Sequence, residues 1–430
     1  SATASFRTDG SSRIASDNRW GTFKTFSAGW NLSNESFMQG VEVVKNLKLR
    51  AGYGETGNLP SGLNAYANIV KVQLYPSSPT ALSPGRIPSS QAGNSDLQWE
   101  TSAQTNIGID FSILNDRVYV STDFYNKETK NMIFPTTLPQ SSGFVTKIIN
   151  LGGVIENKGF EFAINANVIE KNDFSWNSIF NMSFNDNNVT GIPEDEIIFS
   201  TGLQNLGGSV SITKNGLPIG SFWGLNAEGV DPATGDMIFT DNDGVAGITP
   251  NDRQVIGNPM PDFTYGFVNQ FSYKNFDLNV VIDGSYGNEI YNAGKQNLQS
   301  MRFSEQQSAD IVRRWKNPGD ITDIPRATLV DSNQNSFINT RWVEDGSFMR
   351  VRDISLSYNF DQNILDKLRL SGLRVYGNLK NWFTFTDYTG YSPEVNRNLS
   401  GVDQVATTQG IDYGSYPQAK TFSVGLNIEF

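Results

Sequence analysis

The residues of this chain that could do chemistry are carboxylates, amides and aromatic rings. Its 430 residues hold no histidine and no cysteine. That removes Ser-His-Asp and Cys-His nucleophiles, the HExxH zinc helix, disulfides and iron–sulfur ligands. One stretch has a suggestive spacing: Asp241-Asn242-Asp243-Gly244-Val245-Ala246-Gly247-Ile248-Thr249-Pro250-Asn251-Asp252. A hard cation takes several oxygens converging from one tight turn, and carboxylates two residues apart supply them. Side-chain oxygens fall at Asp241, Asp243, Thr249 and Asp252, whereas Val245 offers only its carbonyl and the closing Asp reaches less far than Glu. Two readings stand: a calcium site, and an Asx-turn loop that needs no metal. Asp231 and Asp236, or Asp241 and Asp243, are close enough in sequence to suggest glycosidase-type pairs. No apolar pocket around them can be read to raise one pKa, so no enzyme is expected.

Ring stacking and bidentate amide bonds suit sugar or peptide ligands, which makes Trp223, Trp315, Tyr388 and Tyr391 ligand-contact candidates. The densest basic patch, Arg313-Arg314-Trp315-Lys316, reads as a solvated helix face or as a contact for lipopolysaccharide or ligand carboxylates. With 33 Lys+Arg against 44 Asp+Glu the net charge is −11, a poor match to nucleic acid.

The elements that must position these groups are strands. From Thr421 to Phe430 the residues Phe422, Val424, Leu426, Ile428 and Phe430 alternate with Thr421, Ser423, Gly425, Asn427 and Glu429, a period of two with one apolar face. The same pattern recurs in about twelve segments, near 1–8, 21–32, 47–55, 99–113, 117–129, 157–170, 174–185, 262–273, 275–288, 347–360, 372–385 and 417–430. Tight turns (Asn115-Asp116, Lys171-Asn172-Asp173, Lys274) alternate with long connections at 56–98, 130–156, 186–261, 289–346 and 386–416. A soluble sandwich has no reason to sort its loops this way; an outer-membrane barrel does, with short periplasmic turns and long outer loops. No run approaches a transmembrane helix, and mean hydropathy is −0.37, as expected where lipid-facing and lumen-facing residues alternate. The expected fold is an all-β, antiparallel transmembrane β-barrel wall. An even strand number puts both termini on the periplasmic side.

Seven boxes in order then carry a family resemblance. Leu47-Lys48-Leu49-Arg50-Ala51-Gly52-Tyr53-Gly54-Glu55-Thr56-Gly57-Asn58 resembles the "LKLRASYGxTGN" box of SusC/RagA-type TonB-linked outer-membrane proteins of Bacteroidetes. So do Ala4–Arg13, Leu97–Thr101 with Asn106–Phe111, Asn157–Glu161, Gly220–Gly224, Val343–Phe348 and Tyr416–Phe422. The loop at Asp241 is similar to a calcium-type loop found there in many family members, and Phe430 resembles the terminal aromatic that insertion machinery recognises. The resemblance implies the C-terminal part of a 22-stranded barrel, with the plug and TonB box outside this sequence. It implies TonB-dependent import of oligosaccharides or oligopeptides across the outer membrane, beneath a SusD-like lipoprotein lid. Partners would be that lipoprotein, TonB, outer-membrane lipid and lipopolysaccharide, and a glycan or peptide ligand. Competing readings are a scaffold within a larger outer-membrane complex, a self-contained twelve-stranded passive pore and a soluble β-rich adhesin.

Overall fold

The computed structural model describes residues 1–430 apart from 42, 61, 79–80, 195, 201–207, 303–305 and 396–404. Twelve antiparallel strands form its wall: β1 (Ala2–Gly10), β2 (Trp20–Asn31), β3 (Val44–Asn58), β4 (Glu100–Ile113), β5 (Val118–Thr137), β6 (Thr146–Lys171), β7 (Phe174–Thr190), β8 (Phe263–Tyr273), β9 (Phe276–Tyr286), β10 (Phe348–Asn359), β11 (Gly372–Thr386) and β12 (Thr421–Glu429). Each strand pairs with its neighbours in chain order. Every one of them overlaps a segment expected from alternation.

Register carries each face across the wall. Phe180 pairs with Phe267, Phe267 with Ile282, Ile282 with Val351 and Val351 with Phe383. One residue along, Asn181 pairs with Gly266, Gly266 with Asp283, Asp283 with Arg350 and Arg350 with Thr384. The first row is the lipid face and the second lines the lumen. On the lipid face a ring ladder crosses five strands. Phe124 and Phe160 are 4.6 Å apart, Phe160 and Phe184 6.4 Å, Phe184 and Phe263 5.8 Å, and Phe263 and Tyr286 5.2 Å. Such cross-strand aromatic pairs add to the backbone ladder.

The turns at one end are short for local reasons. Leu114, Asn115 and Asp116 all take positive φ, as does Lys274, closing β4–β5 and β8–β9 tightly. The loop expected at 130–156 is mostly strand. β5 and β6 stay paired out to Thr137 and Thr146 past a bulge at Asn131, because Met132, Phe134 and Leu151 bury against Val189, Ile192 and Ile219. β6 alone runs 26 residues, where about 9–11 suffice to cross a bilayer.

Among the described residues no pairing joins β1 to β12, and both strands are exposed along nearly their whole length. The wall is therefore open, and the self-closed twelve-stranded pore is not what these strands make. Closure would need β1 and β12 to share hydrogen bonds.

Above the wall the connections after β7, β9 and β11 fold together as a dome. One core holds Phe222 and Ile256 from the connection after β7, Tyr291 and Trp342 from that after β9, and Ile411 from that after β11. Short sheets stitch them, including a parallel pairing of Tyr291 with Ile411.

Candidate functional site in the loop dome

The acidic loop follows a short hairpin, Ala227–Val230 with Met237–Phe239. Gly244 and Gly247 take φ of 71° and 95°, which lets the chain curl without a Cβ penalty. The curl brings carboxylate oxygens of Asp241, Asp243 and Asp252 within 4.8 Å of one another. Asp252 is buried and accepts from the backbone N–H of Asn242 (3.0 Å) and of Thr249 (2.6 Å). Asp241 accepts from Gly244 N (2.7 Å), and Asp243 from Val245 N, the Thr249 hydroxyl (2.8 Å) and the Asn251 amide. Thr249 caps the turn Pro250–Asp252. The Thr249 hydroxyl, then the Val245 N–H, hold the Asp243 carboxyl below the usual carboxylate range. The loop thus gathers three of the four expected ligand residues and ties them, with Thr249, into its own hydrogen bonds.

The aromatic candidates separate. Trp223 lies half-buried on the strand Ser221–Leu225, beside the acidic loop, with the Lys214 ammonium 5.8 Å from its ring centroid. Trp315 is a strut: its indole donates to Pro232 O (2.9 Å), and a Cβ on Gly235 would stand 2.4 Å from its ring. Tyr388 is buried with Ile290 and Val395, and its hydroxyl donates to Asp412 (2.6 Å). Burial, then that bond, push its pKa far up. Tyr391 is 79 % exposed beside Trp382 and Lys420, in a cleft at the upper end of β11.

The carboxylate pairs are not poised for acid–base work. Asp231 accepts from Ala233 N and the Thr234 hydroxyl, which hold its pKa low. Burial would raise Asp236, but the bonds from Arg326 (2.7 Å) and Asn335 outweigh it. Neither acid is raised, as a general acid must be. In the basic patch, Arg313 pairs with Asp310 and with Asp323 (3.2 Å) at the end of a short helical turn, Ala309–Arg313.

Three clusters were not read from the sequence. On the lumen wall Arg50 bridges Asp110 (2.7 Å) and Asp123 (2.8 Å). Alternation places Arg50 and Asp110 on the polar face, so strand register was the available signal. Farther round, Arg352 at a bulge binds Asp283 and Glu394, and Arg350, 2 % exposed, binds Glu394 as well. Glu394 belongs to the last long connection, so this clamp ties dome to wall. Glu344, finally, holds Lys295 (2.9 Å) and both the N–H and hydroxyl of Thr389.

An open antiparallel wall with alternating lipid and lumen faces, short turns at one end and a folded dome at the other defines an outer-membrane β-barrel of the receptor type. The family model for the β-barrel of TonB dependent receptor-like proteins matches residues 1–381, and the chain belongs to that family. It is 35% identical over 441 residues to TonB-dependent receptor P3 of Formosa agariphila, covering 99% of this chain and 43% of that protein. It is 30% identical to TonB-dependent receptor SusC of Bacteroides thetaiotaomicron, covering 100% of this chain and 42% of SusC. The RagAB peptide importer in its closed-closed state superposes with a TM-score of 0.84 at 25% identity, over 100% of this chain and 46% of that one. The chain spans under half the length of the curated relatives it matches. It is a SusC/RagA-type barrel of the outer membrane, and these relatives are receptors and transporters, not enzymes.

Proposed function

We propose that this chain is part of the wall and outer mouth of a TonB-dependent importer that takes up oligosaccharides or oligopeptides together with a SusD-like lipoprotein. The observation that carries the reading is the similarity, along the whole chain, to SusC and to the RagAB peptide importer. The dome supports it. Its clefts are lined by rings and amides, which recognise extended polar ligands, and Asp231 and Asp236, with pKa values held low by their hydrogen bonds, behave as structural groups. TonB and the proton motive force would act through sequence outside this chain.

The test is uptake. Deleting the gene from the native bacterium should abolish growth on one class of oligomer and spare growth on its monomer, and an affinity-tagged receptor should co-purify a lipoprotein. Unchanged growth on every oligosaccharide and peptide mixture, with no co-purifying lipoprotein, would count against import and favour a scaffold role.

A further inference from the structure

Beside the acidic loop the dome holds a cavity of about 370 Å³, lined among others by Phe199, Trp223, Pro250, Asn251, Arg253 and Gln334. Ring and proline surfaces make part of its wall. The polar part is one-sided. Among the described residues the Arg253 guanidinium, the Gln334 side chain and the Trp223 indole N–H have no hydrogen-bond partner, and all three residues are half-buried. Among the described residues no carboxylate lines the cavity. Two acids of the neighbouring loop are occupied elsewhere: Asp243 with Thr249 and Asn251, Asp252 with backbone N–H groups. Lys214, over the Trp223 ring, adds a second cation next to the site.

The Arg253 guanidinium has no protein partner among the described residues and is open to solvent, which leaves it free for an acceptor on a ligand, and the planar fork suits a carboxylate or a sulfate. A neutral sugar hydroxyl or a peptide N–H also needs an acceptor, which this wall supplies only through side-chain amides, a hydroxyl and the backbone. A flat ring beside a charged fork matches a pyranose that presents its C–H face and carries an acid group. We propose that this cavity is a subsite for an anionic saccharide residue, a uronate or a sulfated sugar, with the acid group on Arg253 and the ring against Trp223. The assignment rests on the import reading and adds a substrate class to it.

The test uses the full receptor chain, purified from outer membranes in detergent, with binding followed by calorimetry. The probes are tetragalacturonate, a sulfated galactose tetrasaccharide, maltotetraose and tetraglutamate. At least one acidic saccharide should bind, with maltotetraose weaker by about tenfold or more, the scale of one charge-assisted hydrogen bond. Arg253→Gln should weaken the acidic saccharide about tenfold or more, and Arg253→Lys should fall between. Arg253 binds no other side chain among the described residues, so the melting temperature of each variant should match the parent. No binding of either acidic saccharide, or binding indifferent to Arg253→Gln, overturns the subsite. Equal binding of tetraglutamate with the same Arg253 dependence overturns the saccharide class in favour of acidic peptides. Cellular uptake is scored separately. Arg253-dependent binding without uptake keeps the subsite and removes the import reading, while uptake undiminished in a variant that binds as the parent does the reverse.

Discussion

Glu344 shows how much one side chain can hold. Its carboxylate joins the strand Val343–Asp345 to Lys295 on the helix Ala293–Gln299 and to Thr389 at the root of the last connection. Burial would raise its pKa, but the bonds from Lys295 and Thr389 outweigh it and hold the group below 4.5. A lowered folded pKa means the stabilisation is complete above the unfolded value and lost as pH falls through the folded one. Glu344→Ala should destabilise the dome by roughly 2–3 kcal/mol, since Lys295 and the Thr389 N–H lose a buried partner. In denaturant unfolding of the receptor, the step assigned to the dome should move in the variant and lose part of its dependence on pH below about 4.5. An unchanged step would show that Glu344 is dispensable. At the acidic loop, every carboxylate accepts bonds from the loop itself. Chelation is therefore expected to leave the amide protection of Asn242 and Thr249 intact; protection that collapses in EDTA would show that a cation holds the turn. The acidic spacing was legible in the sequence. That its oxygens would be turned toward neighbouring N–H groups was not, because this depends on the φ values of Gly244 and Gly247 and on the cap at Thr249.

At the scale of elements the wall was almost wholly legible, because period-two alternation is local and each wall strand displays it. The exceptions share one cause. β5 and β6 run on past the expected loop boundary because Met132 and Leu151 meet a core supplied by β7 and its following connection, contacts that no window of neighbouring residues contains. The same limit hid Glu394, whose partners Arg350 and Arg352 lie more than forty residues earlier in the chain. Glu394→Ala leaves Arg350, 2 % exposed, without a carboxylate. Removing one member of a buried pair costs about 3–5 kcal/mol. The expected result is local: faster hydrogen exchange and proteolysis around 387–395, with strands β8 to β11 unchanged. Exchange that rises equally across those strands would mean that Glu394 supports the wall and not the connection.

For the whole molecule the open wall decides what the 430 residues can do alone. In hydrocarbon each unsatisfied backbone group costs several kcal/mol, and β1 and β12 would each present a row of them. Produced by itself and refolded in detergent, the chain is expected to run on a gel at the same position boiled or unboiled. The full receptor should show the heat-sensitive shift of a closed barrel. A shift in the isolated chain would mean that its edges do join. The dome, by contrast, was the least legible part. Its core gathers Phe222, Tyr291, Trp342 and Ile411 from three connections, and only distance in the fold, not spacing in the chain, relates them.

The unequal ends of the wall also fix the history of the molecule. Hairpin β8–β9 can enter a bilayer with its two-residue turn following behind, but the segments leading from β7 to β8 and from β9 to β10 must travel through the slab first. They cannot do so as a finished dome, because its surface is hydrated and charged. They pass as loose chain and bring Phe222, Tyr291 and Trp342 together in one core only on the far side. Pulse-labelled exchange during assembly should therefore record protection in β8 and β9 before protection in Ser221–Leu225. The mouth of this protein is built last, outside the cell, without access to the ATP that serves folding in the cytoplasm.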